Sequence, residues 1–405
     1  ASLTYEEAQN RIDDPSMQDS ITKSIRDLNM LAKKLRQRRM EAGALTLSSP
    51  EVRFRLENDS QDPVDVEMKA LKETNALVEE FMLLANISVA RKIYEHFPDS
   101  ALLRRHPEPP AQNFDNLQHA LKPLGIQLET GSSLALAQSL DRAVLPSDPY
   151  FNNLLRILTT RCMMQAQYFC SGTHTPEEYR HYGLATEIYT HFTSPIRRYA
   201  DVMVHRLLHA SIDRDAGYGS ELTNKSQMTD QCDVLNHRHR MAQQAGRSSV
   251  ELFTNLFFKG KVVEEPGYVT QVLQNGFSVL IPSYGIEGVV YTTSKDSSAT
   301  AAAAAVLEYD KAAHALVSKN DDNLSIGLFQ RVRVVLQVDD KPVSANVSSM
   351  RRKLSLQLIE PQIPNLSITP EQLAALYAAS SVSKQTTQEE IINMVTKHPD
   401  QVQTV

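Results

Sequence analysis

The segment HFTSPIRRYADV (residues 191–202) carries the most specific information on the fold of this chain. Thr193 and Ser194 are residue types that cap helices, and Pro195 suits a first helical turn. Apolar residues then recur at helical spacing as far as Leu208. The pattern predicts an amphipathic helix that begins close to the proline.

Two arginines, Arg197 and Arg198, fall in the first turn of this predicted helix. Cations there face the positive end of the helix dipole, which costs about 0.3–1 kcal/mol each when they are exposed. A phosphate would satisfy both guanidinium groups and the free backbone N–H groups of the helix end. In the alternative interpretation Arg197 pairs with Asp201, Arg198 points to water, and His205 continues a salt-bridge ladder. Spacing alone leaves both interpretations open.

Two features upstream are candidates for contacts with the same ligand. HYGLA (residues 181–185) contains Gly183, which either lets the backbone approach a ligand closely or forms a plain turn. Glu79 and Glu80 lie in an apolar helical pattern, where one of them would be partly buried and would need partners. Such a carboxylate can accept a hydrogen bond from a ribose hydroxyl. The alternative places both glutamates on the wet face of the helix.

Composition limits the class of protein. The chain has 405 residues, of which 41% are hydrophobic and 22% charged, so two or three globular domains are expected. A net charge of −6 argues against a protein that binds nucleic acid by bulk charge alone. Three cysteines without metal-site spacing favour a reducing compartment. No apolar run reaches about 18 residues, so we expect no membrane span.

The period of the apolar pattern changes near residue 259. Before it, helical spacing dominates, with a helix predicted from about Glu67 to Phe97 and short strands predicted in ALTL (44–47) and EVRFRLE (51–57). After it, five short segments alternate like strands, which suggests a small barrel such as the OB-fold. We therefore predict an α+β fold: a mostly helical portion with short strands, then an OB-fold β-barrel, then a helical tail.

The predicted domain boundaries follow from this change. The helical portion is expected over 1–258 and the barrel over 259–362, with a low-complexity insert near 296–325. A polar tail over 363–405 has two weak helical patterns, at 369–379 and 388–396.

The sequence offers few candidates for other chemistry. On the predicted barrel, Phe277 is the main candidate for an exposed aromatic that stacks on bases. HRHR (237–240) lacks partners at zinc-finger spacing. Asp62, Asp65 and Glu67 come closest to a metal cluster, but a turn and a helix start explain them better. No metal-binding carboxylate set is predicted in this chain.

The stretch HYGLATEIYTHFTSPIRRYADVMVHRLL (residues 181–208) resembles the signature of the RNase II family of exoribonucleases, whose catalytic domain is the RNB domain. Flanking segments such as NALVEEFMLLANISVA are most similar to the eukaryotic branch of the family, whose members associate with the exosome. The resemblance covers about residues 1–362, and the OB-type domain that the family carries after its RNB domain is included.

The resemblance implies a hydrolytic, processive 3′-to-5′ exoribonuclease that acts on single-stranded RNA in RNA processing and decay. It further implies a site with two magnesium ions, which activate water and stabilise the leaving oxygen. The expected partners are single-stranded RNA and exosome core subunits, without DNA or a membrane. The expected location is the nucleus, including the nucleolus, and the cytoplasm.

The same resemblance assigns roles to individual residues. Arg197 matches the arginine that contacts the reacting phosphate, and Glu79 matches the position that reads the terminal ribose hydroxyl. The remaining motif positions are expected either to bind RNA (Arg198, Tyr199, His181 and Phe277) or to support the site (Ser194, Asp201 and His205).

Two departures from the family pattern shape the expectation for this chain. The family's catalytic aspartates lie before Ala1, so the magnesium ligands are expected outside the chain, which would be an inactive part of a larger enzyme. Leu47 stands where the bacterial enzyme stacks an aromatic on the bases. The alternative is a catalytically inactive RNB-like protein that binds RNA or acts as a scaffold.

Overall fold

The structure, a computed structural model, describes residues 2–49, 52–56, 63–68, 72–213, 218–292, 307–311, 313–318, 324–344 and 347–380. The chain divides into two compact units. One comprises Ala1–Ser49 and Ala70–Gly246, and the other comprises Pro50–Lys69 and Arg247–Val405.

The first unit is mostly helical, and the second is mostly β-structure. In chain order the described helices and strands are α1 (Tyr5–Asp13), α2 (Ser20–Glu41), β1 (Val52–Leu56), β2 (Pro63–Met68), α3 (Glu73–His96), β3 (Leu102–Arg105), α4 (Asp115–Leu121), α5 (Ser133–Arg142), α6 (Phe151–Cys162), β4 (Gln167–Cys170), α7 (Tyr199–Ile212), α8 (Lys225–Phe257), β5 (Val263–Leu273), β6 (Gly276–Ile281), β7 (Ile286–Tyr291), β8 (Leu307–Asp310), β9 (Ala315–Ser318), β10 (Ser325–Ile326), β11 (Arg331–Ser344) and β12 (Val347–Glu360).

The core of the first unit forms where α3 and α7 pack on the two-stranded antiparallel sheet of β3 and β4. The predicted apolar stripe is confirmed within α7, where Met203, Val204 and Leu207 are all buried, but its first two members, Ile196 and Tyr199, are exposed. Leu102 and Leu103 of β3 contribute to the same cluster. This packing fixes the start of α7 against β3 and β4, where the candidate site lies.

Two boundaries near β1 differ from the prediction. β1 pairs antiparallel with β2, whereas residues 44–47 form no strand. Ala44 and Leu45 are instead buried, and the Leu45 N–H donates to the Gly183 carbonyl, at 2.9 Å. Glu67 lies in β2, so the following helix begins at Glu73. Alternating β-branched valines in PVDVEM favour a strand over the helix start that we predicted.

The second unit contains a five-stranded antiparallel sheet in the order β12-β11-β5-β6-β7. Its two outer strands pack together at Gly288 of β7, where a β carbon would collide with the Leu356 side chain of β12. This close approach curves the sheet toward a barrel. The predicted α+β class with an OB-type barrel is confirmed.

The predicted insert contains folded structure. Strands β8, β9 and β10 form a three-stranded sheet, and Leu307, Leu316 and Ile326 join the core of the second unit. The alanine-rich run before them concealed the strand pattern; residues 293–306 lie outside the described part of the chain. In the tail, residues 370–380 are helical, as predicted for 369–379, while 388–396 also fall outside it. The domain boundaries themselves stay predictions.

Candidate functional site

The segment before α7 is a turn and not the first turn of the helix. α7 begins at Tyr199, and Arg198 occupies the N-cap position with an extended backbone (φ −126°, ψ 115°). The Ser194 carbonyl accepts the N–H groups of Arg197 and Arg198, at 3.2 and 3.1 Å. The prediction that the helix begins at Pro195 is therefore wrong, because these bonds close a turn before the helix starts.

Asp201 holds this turn in place. Its carboxylate is fully buried and accepts the Ser194 N–H at 2.7 Å. It also takes a forked pair of hydrogen bonds from the Arg198 guanidinium, at 2.8 and 2.7 Å. The interpretation in which Arg197 pairs with Asp201 is wrong: because the helix begins later, Arg198 is the arginine within reach.

Arg197 is the cation that this arrangement leaves free. Its side chain is exposed, and within the described residues it has neither a hydrogen bond nor an ion pair. Its neighbours Ile196 and Tyr199 are also exposed, at 96% and 62%. A guanidinium held at a fixed place without a carboxylate partner can bind a phosphate through two parallel hydrogen bonds.

The other end of the turn is fixed at Phe192. Its backbone N–H donates to Asn86 Oδ1 at 2.9 Å, and its carbonyl lies 3.0 Å from His205 Nε2. The imidazole of His205 also stacks on the Phe192 ring, with 4.3 Å between the ring centres. His205 thus supports the backbone and does not continue a salt-bridge ladder. We call residues 191–198 the clamped loop.

The two glutamates of α3 differ in burial, as one of our interpretations required. Glu80 is 3% exposed and forms an ion pair with Arg39 of α2, to which Glu79 also lies close, at 3.5 Å. The Glu79 side chain is 60% exposed. Glu80 is therefore the structural member of the pair, and Glu79 is accessible to a ligand. Its ribose-reading role stays a prediction.

His181 is packed between His106 and Tyr189, with ring centres 5.2 and 5.3 Å away. Burial, together with the nearby His106, lowers the pKa of His181 to about 3. Gly183, two residues after His181 in the sequence, donates its N–H to His106 Nδ1 at 3.1 Å. The small size of this glycine serves the contact with His106, where a β carbon would lie 3.1 Å from Nδ1. Direct RNA contact by His181 stays a prediction.

Phe277 is not the exposed stacking residue that we predicted. It is fully buried among core residues of the second unit, and all six residues of β6 are buried. The alternation argument fails here because the strand is covered on both faces. Among the aromatics of this sheet, Tyr291 is exposed, at 46%.

Sequence reasoning missed a group of polar side chains behind the clamped loop. Arg104 is only 8% exposed, and its Cζ atom lies 4.6 Å from the centre of the Tyr168 ring. The Tyr168 hydroxyl lies 2.6 Å from His191 Nδ1. One signal was present in the sequence: LLRRHP places Arg104 directly after two leucines that are buried in the strand. A buried cation in an apolar strand points to a partner that the sequence does not identify.

A resident metal does not fit the residues at hand. In the part of the chain that the structure describes, no group of three or more His, Cys, Asp or Glu side chains is placed to hold an ion. Asp65 and Glu67 lie on β2, while Asp62 is outside the described residues. None of the described helices is long and apolar enough to cross a membrane.

Comparison with known families gives two matches. The model of the RNB domain matches residues 1–214, and that of an S1 domain matches residues 263–351. The clamped loop and both glutamates fall within the first match.

Curated relatives match most of the chain. It is 52% identical over 369 residues to the exosome complex exonuclease RRP44 of Homo sapiens, which covers 91% of this chain and 37% of the relative. It is 56% identical over 296 residues to the exosome complex exonuclease dis3 of Schizosaccharomyces pombe. This match covers 73% of this chain and 30% of the relative. The chain thus spans about a third of the length of these relatives.

Solved structures share the fold. The apo form of Mycoplasma genitalium RNase R gives a TM-score of 0.70 at 21% identity, covering 83% of this chain and 51% of that one. Yeast Ssd1, described as a pseudonuclease, gives a TM-score of 0.63 at 18% identity, and the match covers 91% of this chain and 54% of that one. A nuclease and a pseudonuclease thus share this fold, and the fold alone does not separate the two functions.

Proposed function

Because this chain belongs to the RNB family, we propose that it supplies the phosphate-binding loop and RNA-binding surface of a processive 3′-to-5′ exoribonuclease. The observation that carries the proposal is Arg197, an unpaired cation on a loop clamped at both ends. The names of the curated relatives, exosome complex exonucleases, support the same activity.

The proposed mechanism gives each residue of the clamped loop a task. Arg197 binds the non-bridging oxygens of the reacting phosphodiester and stabilises the negative charge that grows there in the transition state. Asp201 and Arg198 hold the backbone turn that presents it. Because the loop is already in place, little reorganisation is needed when the substrate arrives.

The terminal nucleotide is the proposed ligand of Glu79. Its exposed carboxylate would accept hydrogen bonds from ribose hydroxyls, which distinguish RNA from DNA. Arg39 lies between Glu79 and Glu80 and fixes the position of this part of α3. Tyr199, exposed beside Arg197, is the proposed contact for the adjoining sugar or base.

Magnesium is part of the proposal for the whole protein only. The described residues do not fit a metal site, so the steps above are derived from side chains alone. When bound, magnesium would activate the attacking water. Exosome core subunits are proposed as partners of the whole protein, and the nucleus, nucleolus and cytoplasm as its locations. Tagging the full-length protein in cells tests the locations, and purifying its complexes tests the partners.

The activity is tested with the full-length protein, magnesium and a 5′-labelled single-stranded RNA about 20 nucleotides long. We expect the label to move to progressively shorter fragments, with nucleoside monophosphates released. A DNA strand of the same sequence is the matched control and should stay intact. RNA that is bound but never shortened would contradict the proposal and favour the inactive RNB-like binding protein.

A further inference from the structure

A row of three side chains ends at the first residue of the clamped loop and has no part in the mechanism above. Arg104 of β3, Tyr168 of β4 and His191 at the start of the loop follow one another, with 4.6 Å from the guanidinium carbon to the ring centre and 2.6 Å from the hydroxyl to Nδ1. We call these residues the Arg104 row. They come from three separate segments of the chain.

Arg104 restricts the direction of the hydrogen bond at His191. A guanidinium has only donor N–H groups, so the Tyr168 hydroxyl beside it finds no acceptor on Arg104 and gives its hydrogen to another partner. In this row the hydrogen then points at His191 Nδ1, which must accept it. An imidazole that accepts at Nδ1 carries its own proton on Nε2. His191 is therefore held in one tautomer.

The imidazole also stays neutral and cannot turn. Burial, with Arg104 and Arg198 nearby, lowers the pKa of His191 to about 2. Its ring lies between the rings of Tyr168 and Tyr189, each with its centre 5.6 Å away. A neutral ring packed in this way presents its remaining N–H in one direction.

The remaining N–H is available to a ligand. Within the described residues His191 Nε2 has no hydrogen-bond partner, and it does not belong to the unpartnered atoms sealed from solvent. His191 and Arg197 stand at the two ends of the same clamped loop. Six residues of chain span at most about 22 Å when fully extended, so one bound strand can reach both Arg197 and this donor.

We propose that His191 is an RNA-binding residue whose Nε2–H donates to a phosphate oxygen of the strand bound by Arg197, and that Tyr168 and Arg104 position it. This inference rests on the proposed function and adds a neutral contact to it. A neutral donor releases no counterion, so its loss weakens binding equally at every salt concentration. Loss of a cationic contact instead flattens the salt dependence, by about 0.7 in the slope of log K against log salt for a single strand.

This difference gives the experiment its readout. The full-length protein is titrated into a fluorescein-labelled oligoadenylate RNA in EDTA, which prevents hydrolysis, and the anisotropy is followed from 50 to 300 mM KCl. His191→Gln keeps a donor, His191→Met removes it at similar volume, and Tyr168→Phe removes the positioning hydroxyl. His209→Met, at an exposed position in the last turn of α7, is the control.

We expect His191→Met to weaken binding by about tenfold at every salt concentration, the size expected of one hydrogen bond to a charged group. The salt slope should stay that of the wild type. His191→Gln should retain most of the affinity, Tyr168→Phe should lose a smaller factor than His191→Met, and the control should bind like the wild type. Arg197→Ala, measured in parallel, should flatten the slope.

Wild-type affinity in both His191→Met and Tyr168→Phe would overturn the inference, and so would a flattened slope in His191→Met. Should the His191 variants fail to fold, Tyr168→Phe decides by itself, since it keeps the ring that packs in the core. If Arg197→Ala weakens RNA binding or turnover while His191→Met binds normally, only this inference fails. If neither variant has any effect, the proposed function fails as well.

Discussion

Asp201 determines which of two adjacent arginines is free. Its buried carboxylate binds the Ser194 N–H and the Arg198 guanidinium, while the exposed Arg197 side chain makes no contact with it. Burying a carboxylate costs free energy of desolvation, and charge-assisted hydrogen bonds, which are stronger than neutral ones, offset that cost. One residue thus both closes the turn and keeps its neighbour unpaired.

Asp201→Asn tests this role. The amide has the same shape but no charge, so Arg198 would lose its ion-pair partner beside a buried site. Breaking a buried pair costs about 3–5 kcal/mol, and we expect about 2–4 kcal/mol here because Arg198 is partly exposed. Urea unfolding of wild type and variant measures the difference. Asp27→Asn, exposed on α2, is the control and should change the free energy of unfolding by less than about 0.5 kcal/mol.

The sequence predicted the members of the clamped loop but not their pairing. The i,i+4 spacing of Arg197 and Asp201 is a helical contact, and it requires that the helix already include Arg197. Since the Ser194 carbonyl closes a turn first, the contact falls to Arg198 instead. The Arg104 row could not be predicted at all, because its partners come from separate segments and only the fold brings them together.

Helices α2 and α3 are joined by two ion pairs of different burial. Arg39 and Glu80 form the inner pair, with side chains 16% and 4% exposed. Lys33 and Glu73 form the outer pair, at 2.9 Å, with side chains 60% and 48% exposed. The inner pair also sets the position of Glu79, so the helix–helix contact bears on the proposed ribose contact.

The two pairs make a matched test of burial. Arg39→Met leaves the Glu80 carboxylate buried without its partner, and we expect a loss of about 3–5 kcal/mol in the free energy of unfolding. Lys33→Met removes an exposed pair and should cost less than about 1 kcal/mol. Chemical denaturation measures both. Equal losses in the two variants would contradict the assignment of Glu80 as the structural glutamate.

The periodicity of apolar residues predicted the type of most elements. It failed where packing against neighbouring elements, and not the local pattern, determines burial or strand formation. The change to strands near residue 259 is confirmed, and so is the apolar stripe of α7 after Tyr199, whereas Ile196 and Tyr199 are exposed. Phe277 was misjudged because β6 is covered on both faces, so alternation carries no information on exposure there. The strands β8–β10 were missed because each is short, and they depend on the barrel core for stability.

Buried histidines couple the folding of the protein to pH. Burial lowers the pKa of His181 to about 3 and that of His191 to about 2, whereas an unfolded histidine titrates near 6.5. Below pH 6.5 the unfolded chain binds protons that the native protein does not. The two histidines therefore contribute their full stabilisation above pH 6.5. This stabilisation is lost as the pH falls toward their pKa values in the folded protein.

We expect the free energy of unfolding to fall between pH 6.5 and 5, by at most about 1.4 kcal/mol per pH unit for each of the two histidines. His191→Gln should remove the contribution of one histidine from this slope, since glutamine does not titrate. Urea unfolding at several pH values measures it, with His209→Gln as the exposed control. A slope that is the same in His191→Gln as in the wild type would contradict the burial of a neutral His191.

The central claim is that Arg197, free on the clamped loop, binds the reacting phosphate. Single-turnover cleavage of 5′-labelled RNA by full-length Arg197→Ala, at saturating protein, tests it most directly, with Arg91→Ala on the exposed face of α3 as the control. We predict a rate at least about a hundredfold lower than that of the wild type, the size expected when one group that stabilises developing charge is lost. A wild-type rate in Arg197→Ala would contradict the claim.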